Sequence, residues 1–179
     1  MLKRSLLLFV LLVAGPVTAD LGEPVASDLG ASVAQDYEQH LAGLFDHFHR
    51  NPELSTVEHE TARRMALELS LAGFDVTEGV GGTGVVAMLA NGDGPLVMMR
   101  ADMDGLPVEE KSGLENASRA KQIDPITGND VFTMHACGHD VHITSLVGTA
   151  RYMAANRDKW AGTLMLIVQP AEERVLGAR

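Results

Sequence analysis

Apolar positions along this 179-residue chain follow two rhythms, one with helical spacing and one of short unbroken runs. Between Asp36 and His49, Leu41, Leu44, Phe45 and Phe48 share one face of a helix. Ser55 and Glu58 have the spacing of a capping box, so a second helix is expected from there to about Gly73. Residues 74–77 and 84–89 read as strands with a glycine-rich turn between them, which fits a tight turn better than a phosphate cradle because no lysine follows. Two further apolar runs, 95–100 and 163–168, are short enough and bounded sharply enough by Gly and Pro to be buried strands. Ile143, Leu146, Val147, Ala150 and Met153 line one face of another helix. The polar stretch 110–132, with turn signals at Asp124-Pro125 and Thr127-Gly128-Asn129-Asp130, is expected to be a surface excursion.

Both buried strands run directly into acidic residues. Pro95 to Arg100 leads to Ala101-Asp102-Met103-Asp104-Gly105-Leu106-Pro107, where the alternation puts both aspartates on one face of an extended chain. Thr163 to Val168 leads to Gln169-Pro170-Ala171-Glu172-Glu173. Open α/β sheets bind ligands at the carboxyl ends of their strands, so both acidic pairs stand where a site is expected. Each alone also fits a solvated turn or helix start. The densest chemistry lies between them. Met134-His135-Ala136-Cys137-Gly138-His139-Asp140-Val141-His142 holds three of the seven histidines and the only cysteine. Thiolate, imidazole and carboxylate are the side chains that bind borderline transition metals, and Gly138 gives the loop freedom to turn its donors toward one point.

Five segments, in order, resemble the metal-dependent amidohydrolases that include hippurate hydrolase, N-acyl-amino-acid hydrolases and auxin-conjugate hydrolases. They are His49-Arg50-Asn51-Pro52-Glu53-Leu54-Ser55, Gly81 to Val86, Arg100 to Glu109, Met134 to His142 and Gln169 to Glu173. Gly105 stands where the family usually has Ala. The resemblance implies a zinc-exopeptidase-like catalytic domain, α/β with a mixed, largely parallel sheet flanked by helices, and truncated here. It implies that Cys137, His139 and Glu173 are metal ligands, that Glu172 is the general base, and that Asp104 supports the metal centre, with Asp102 nearby. His135 and His142 lie in the motif without a ligand role. Two divalent cations per complete enzyme are implied, zinc or manganese, with cobalt or nickel also admitted by the donor set. The implied substrate is an N-acyl amino acid or short peptide. A lid domain and two more ligand histidines are expected beyond Arg179, and with the lid a homodimer of the full-length form. A truncated metal-binding fragment or pseudoenzyme without activity is the alternative reading; a redox thiol protein is disfavoured by the single cysteine.

Composition adds location and exclusions. Lys3 and Arg4, the apolar run from Ser5 to Ala14 and the small residues Val17-Thr18-Ala19 read as a signal peptide over 1–19, followed by a polar linker over 20–35 and the catalytic portion over 36–179. Secretion, to a bacterial periplasm, is therefore expected, without stable membrane insertion after leader cleavage. The net charge of −10 gives no electrostatic footprint for nucleic acid.

Overall fold

The computed structural model describes residues 26–178; the expected signal peptide lies outside the described residues. Helix α1 (Ala26–Asp36) passes through a π-helical turn (Tyr37–Leu41) into α2 (Ala42–Arg50). After a loop comes α3 (His59–Leu71), then strands β1 (Asp75–Val80), β2 (Gly84–Asn91) and β3 (Leu96–Asp102). A small hairpin, β4 (Lys121–Ile123) and β5 (Asp130–Phe132), precedes α4 (His139–Ala155), β6 (Gly162–Gln169) and a short 3-10 turn (Glu172–Arg174).

Four strands form a sheet in the order β1-β2-β6-β3. The sheet is mixed, as expected, but less parallel than expected. β1 with β2 and β2 with β6 are antiparallel, and only β3 with β6 is parallel. The parallel pair follows from the connection, since α4 carries the chain back across the sheet before β6 begins. Alternation along the strands decides which face is covered. Val85, Ala87 and Leu89 of β2 and Leu164, Leu166 and Val168 of β6 are all buried. Against this face pack Leu44 and Phe48 of α2, Met65 and Leu69 of α3, and Ile143, Leu146 and Val147 of α4. The helical faces read from sequence are therefore the ones that close the core.

Gly162 and Pro170 bracket β6. Gly162 has φ +115°, and a Cβ there would collide with the Pro95 carbonyl oxygen, which accepts the Thr163 N–H at 2.9 Å. The strand starts where the backbones of two segments touch, a place only glycine fits.

Three local expectations change. Residues 26–35, expected as linker, lie almost wholly in α1, and a bidentate bond from Arg151 on α4 to Asp36 (2.6–3.1 Å) fastens the helix end. The excursion 110–132 carries the β4–β5 hairpin, and Gln122 Oε1 in it accepts the Leu54 N–H at 2.6 Å. The capping box does not form. The Glu53 carboxylate instead accepts the N–H groups of Glu60 and Thr61 at the start of α3, which leaves Ser55 and Glu58 free for other partners.

Two outcomes test this packing. Leu166→Ala, in a fully buried position at the centre of the sheet, should lower unfolding free energy by about 2–5 kcal/mol in denaturant titration. The Arg151 guanidinium holds the Asp36 carboxyl below its ordinary value, against a smaller opposing effect of burial. A depressed carboxyl contributes stability above its unfolded pKa and loses it as pH falls through the folded value. Asp36→Asn should therefore cost on the order of 1 kcal/mol or less at pH 7, because the pair is partly solvated. The difference from the parent should close as the pH drops below about 4.

Candidate metal centre

His139 and Asp140 open α4, directly after Gly138, which adopts a left-handed conformation at φ +80°. This reversal drives the first turn of the helix inward, and both side chains are buried. His139 Nδ1 lies 2.8 Å from the Asp104 carbonyl oxygen, an acceptor that fixes the proton on that nitrogen. Nε2 is thereby left as a lone pair. Around it stand Asp102 Oδ2 at 3.5 Å, Glu172 Oε2 at 3.8 Å and Glu173 Oε1 at 3.9 Å.

The acids arrive from the two parallel strands. β3 and β6 are in register, with Asp102 opposite Gln169, so both chains leave the sheet at the same level. Asp102 and Asp104 follow one, Glu172 and Glu173 the other. Ala171, at φ +48°, turns the chain so that the glutamates fold back over the strand ends. The buried Asp104 carboxylate takes hydrogen bonds from Ser55 Oγ (2.5 Å) and the Glu173 N–H (3.0 Å) through Oδ2. Its Oδ1 is buried without a hydrogen-bond partner.

Among the described residues, two groups of donors are close enough to share an ion: Asp102, His139 and His142, and His139, Glu172 and Glu173. His139 belongs to both. His142 lies one helical turn on from His139 and meets Asp102 Oδ1 through Nδ1 at 2.6 Å. The family resemblance assigns His142 no role, although an i, i+3 pair of histidines on one helix is a signal for a shared face. Cys137 is exposed and falls outside both groups. Its thiol is pushed up, first by a hydrogen bond to the Glu173 carboxylate, then by burial and the charges of Glu172 and Asp102. The structure thus brings together His139, Glu172, Glu173 and Asp102, with Asp104 behind them and Cys137 at the rim.

Electrostatics here favour a cation. Burial alone would lower the His139 imidazole, yet Asp104 and the charge of Asp102 outweigh it and hold the group above its ordinary value. Burial would likewise raise Asp102 and Asp104, but His142, His139 and Arg100 lower the first, and His139, Ser55 and backbone N–H groups lower the second. Carboxylates that stay ionised around one imidazole repel one another unless positive charge lies among them, either the imidazole's own second proton or a metal ion that displaces it. A divalent ion meets that need, and the nitrogen-and-oxygen donor set fits one. His135, by contrast, is buried with neither ring nitrogen hydrogen-bonded, and burial drives its pKa down to about 4, so it is neutral.

Known proteins resemble this chain in sequence and in fold. Residues 98–179 match the model of peptidase family M20/M25/M40. An Arabidopsis thaliana IAA-amino acid hydrolase ILR1-like 2 is 43% identical over 131 residues, covering 73% of this chain and 28% of its own length. The N-acetyl-L-cysteine deacetylase of Bacillus subtilis is 41% identical over 142 residues, covering 79% of this chain and 32% of its own length. The crystal structure of a Bacillus subtilis dinuclear metal binding peptidase superimposes with a TM-score of 0.70 at 35% identity, over 81% of this chain and 38% of that one. The chain thus spans about a third of the length of the curated relatives it matches. Residues 98–179 thus carry the sequence of peptidase family M20/M25/M40, on a fold shared with that dinuclear metal binding peptidase.

Proposed function

We propose that the protein carrying this chain hydrolyses the amide bond of N-acyl amino acids or short peptides, with divalent metal held by His139, Glu173 and Cys137. One observation carries the reading. The free Nε2 of a buried histidine faces three carboxylate oxygens within 4 Å, with its other nitrogen committed to a carbonyl. The names of the relatives, an amino-acid-conjugate hydrolase and a deacetylase, support an acyl–amino bond as the target.

When bound, such ions lower the pKa of water and polarise a carbonyl. The chain's own residues do the rest. Asp104 anchors His139 through its carbonyl and fixes the tautomer that presents Nε2. Glu172 and Glu173 are adjacent yet differ in exposure, with the Glu172 side chain 40% exposed and that of Glu173 14%. The more buried Glu173, beside the Cys137 thiol, suits a ligand. The more open Glu172 suits a general base, which must meet water, take its proton and return that proton to the departing amine. The Cys137 thiol, raised by its acidic neighbours, loses its proton when a cation neutralises them. Asp102, shared between His142 and Arg100, balances the positive charge from the helix side. The leader expected from the sequence would carry this activity to the periplasm.

Two measurements on the full-length protein test the reading. Glu172→Gln should lower kcat for an N-acetyl amino acid by at least about a thousandfold, within the range of general base catalysis. Metal content by atomic emission should stay at the parent level; activity within tenfold of the parent would remove Glu172 as base. Chelation should abolish hydrolysis and lower the melting temperature, because a bound ion stabilises only the folded state. His139→Ala should remove most of that chelator-sensitive increment, and an increment that survives intact would place the metal elsewhere.

A further inference from the structure

Two sequence motifs have no part in the chemistry above, the acid at the end of Pro52 to Glu58 and the glycine-rich turn Gly81 to Gly84. The fold brings them together behind the glutamates. Glu58 is fully buried, with 0% of its surface exposed, and among the described residues no cation pairs with it in an ion pair. Such a carboxylate is costly unless its oxygens are hydrogen-bonded. Both are. Oε1 accepts the Ala171 N–H at 2.7 Å, and Oε2 accepts the Thr83 hydroxyl at 2.6 Å.

Ala171 is the residue that reverses the chain just before Glu172. Its φ of +48° is unusual for a residue with a side chain, so its conformation needs an external hold. The hold comes from several sides. Gly84 packs on Pro170, with a Cβ there falling 3.0 Å from Pro170 Cδ, and Gly177 lies against the Pro170 carbonyl so closely that no Cβ fits. Asp104 grips the far side of the turn through the Glu173 N–H. The loop between α2 and α3 therefore supplies both partners, Glu58 directly and Ser55 through Asp104.

We propose that Glu58 is a positioning residue: with Thr83 it fixes the Ala171 turn that aims Glu172 and Glu173 at His139. It touches neither substrate nor metal. The charge of a buried carboxylate makes its bond to the Ala171 N–H stronger than a neutral one, which is what a strained turn requires. Glutamine at this position keeps an acceptor for Ala171 and can donate to the Thr83 oxygen. Alanine keeps neither.

The assignment rests on the reading of Glu172 and Glu173 given above, but its first readout does not. Amide hydrogen exchange on the metal-free full-length protein should show Ala171 protection falling at least about tenfold in Glu58→Ala, with α3 and β2 unchanged. Glu58→Gln should restore it to within about threefold. In the metal-loaded enzyme, Glu58→Ala should lower kcat and weaken metal binding by about 10–100-fold, as loss of a supporting partner does, with KM within about threefold. Ala171 protection at the parent level in Glu58→Ala overturns the proposal, as does a Glu58→Gln protein no better than Glu58→Ala. If Glu58→Ala does not fold, Thr83→Val decides: faster exchange at Ala171 than in the parent supports the anchor, and parent-level exchange overturns it. A parent protein that neither binds metal nor hydrolyses amides overturns the functional reading alone, leaving the exchange result to judge Glu58.

Discussion

Asp102, Asp104, Glu172 and Glu173 surround a single imidazole, and like charges at that distance raise one another's energy unless donors or cations lie among them. Much of the fold can be understood as the means of bearing that repulsion. Two strands in parallel register deliver the acids to one level. A helix begins at the same level and contributes His139 and His142 from its first two turns. Hydrogen-bond donors from the loop before α3 and from the turn itself meet the one acid, Asp104, that lies deepest. A cation placed among them would relieve the negative potential that remains.

Rigidity around the glutamates is shared out unevenly. Ahead of them, the backbone is held by Glu58 and by glycine contacts on Pro170. After them, Arg174 reaches to Asp124 at 2.8 Å, in the turn that joins the two strands of the small hairpin. Asp124 is itself committed to the N–H of Ile126 and the hydroxyl of Thr127. The excursion is thus tied to the turn that presents the glutamates, and also to the loop that carries Ser55 and Glu58 through Gln122. A segment that looked like surface in the sequence braces the site from the side.

What the sequence disclosed, and what it did not, divides by range. The strands ending in Asp102 and Gln169 and the helix after the histidine loop were legible, because apolar runs and helical spacing are local and each is bounded by Gly or Pro. The gathering of His139, Glu172 and Glu173 was legible only through resemblance, since nothing local says that two strand ends are neighbours. Ser55 and Glu58 misled because S-x-x-E is also the pattern of a capping box; here Glu53, five residues before Glu58, took the capping work and freed the pair for contacts with β3 and β6 ends. Residues 26–35 look like linker in the sequence because their polarity hides a helix that is fastened at its end by one ion pair. The antiparallel pairing of β6 with β2 was illegible for the same reason as the site, being set by where the chain returns.

Strand β6 also has the character of a ruler. It is stopped at one end by a glycine lodged against the Pro95 carbonyl and at the other by a proline wedged between two glycines, and it is paired on both sides. Side chains on a strand change faces at every residue. A single residue gained or lost between those stops would exchange the faces of the core and the far side of the sheet, and would deliver Glu172 to the place now held by its neighbour. Side chains along β6 are free to vary within their size and polarity; its length is not. Divergence among proteins built this way should therefore accumulate as substitutions within the strand, with insertions confined to the hairpin and the turns outside it.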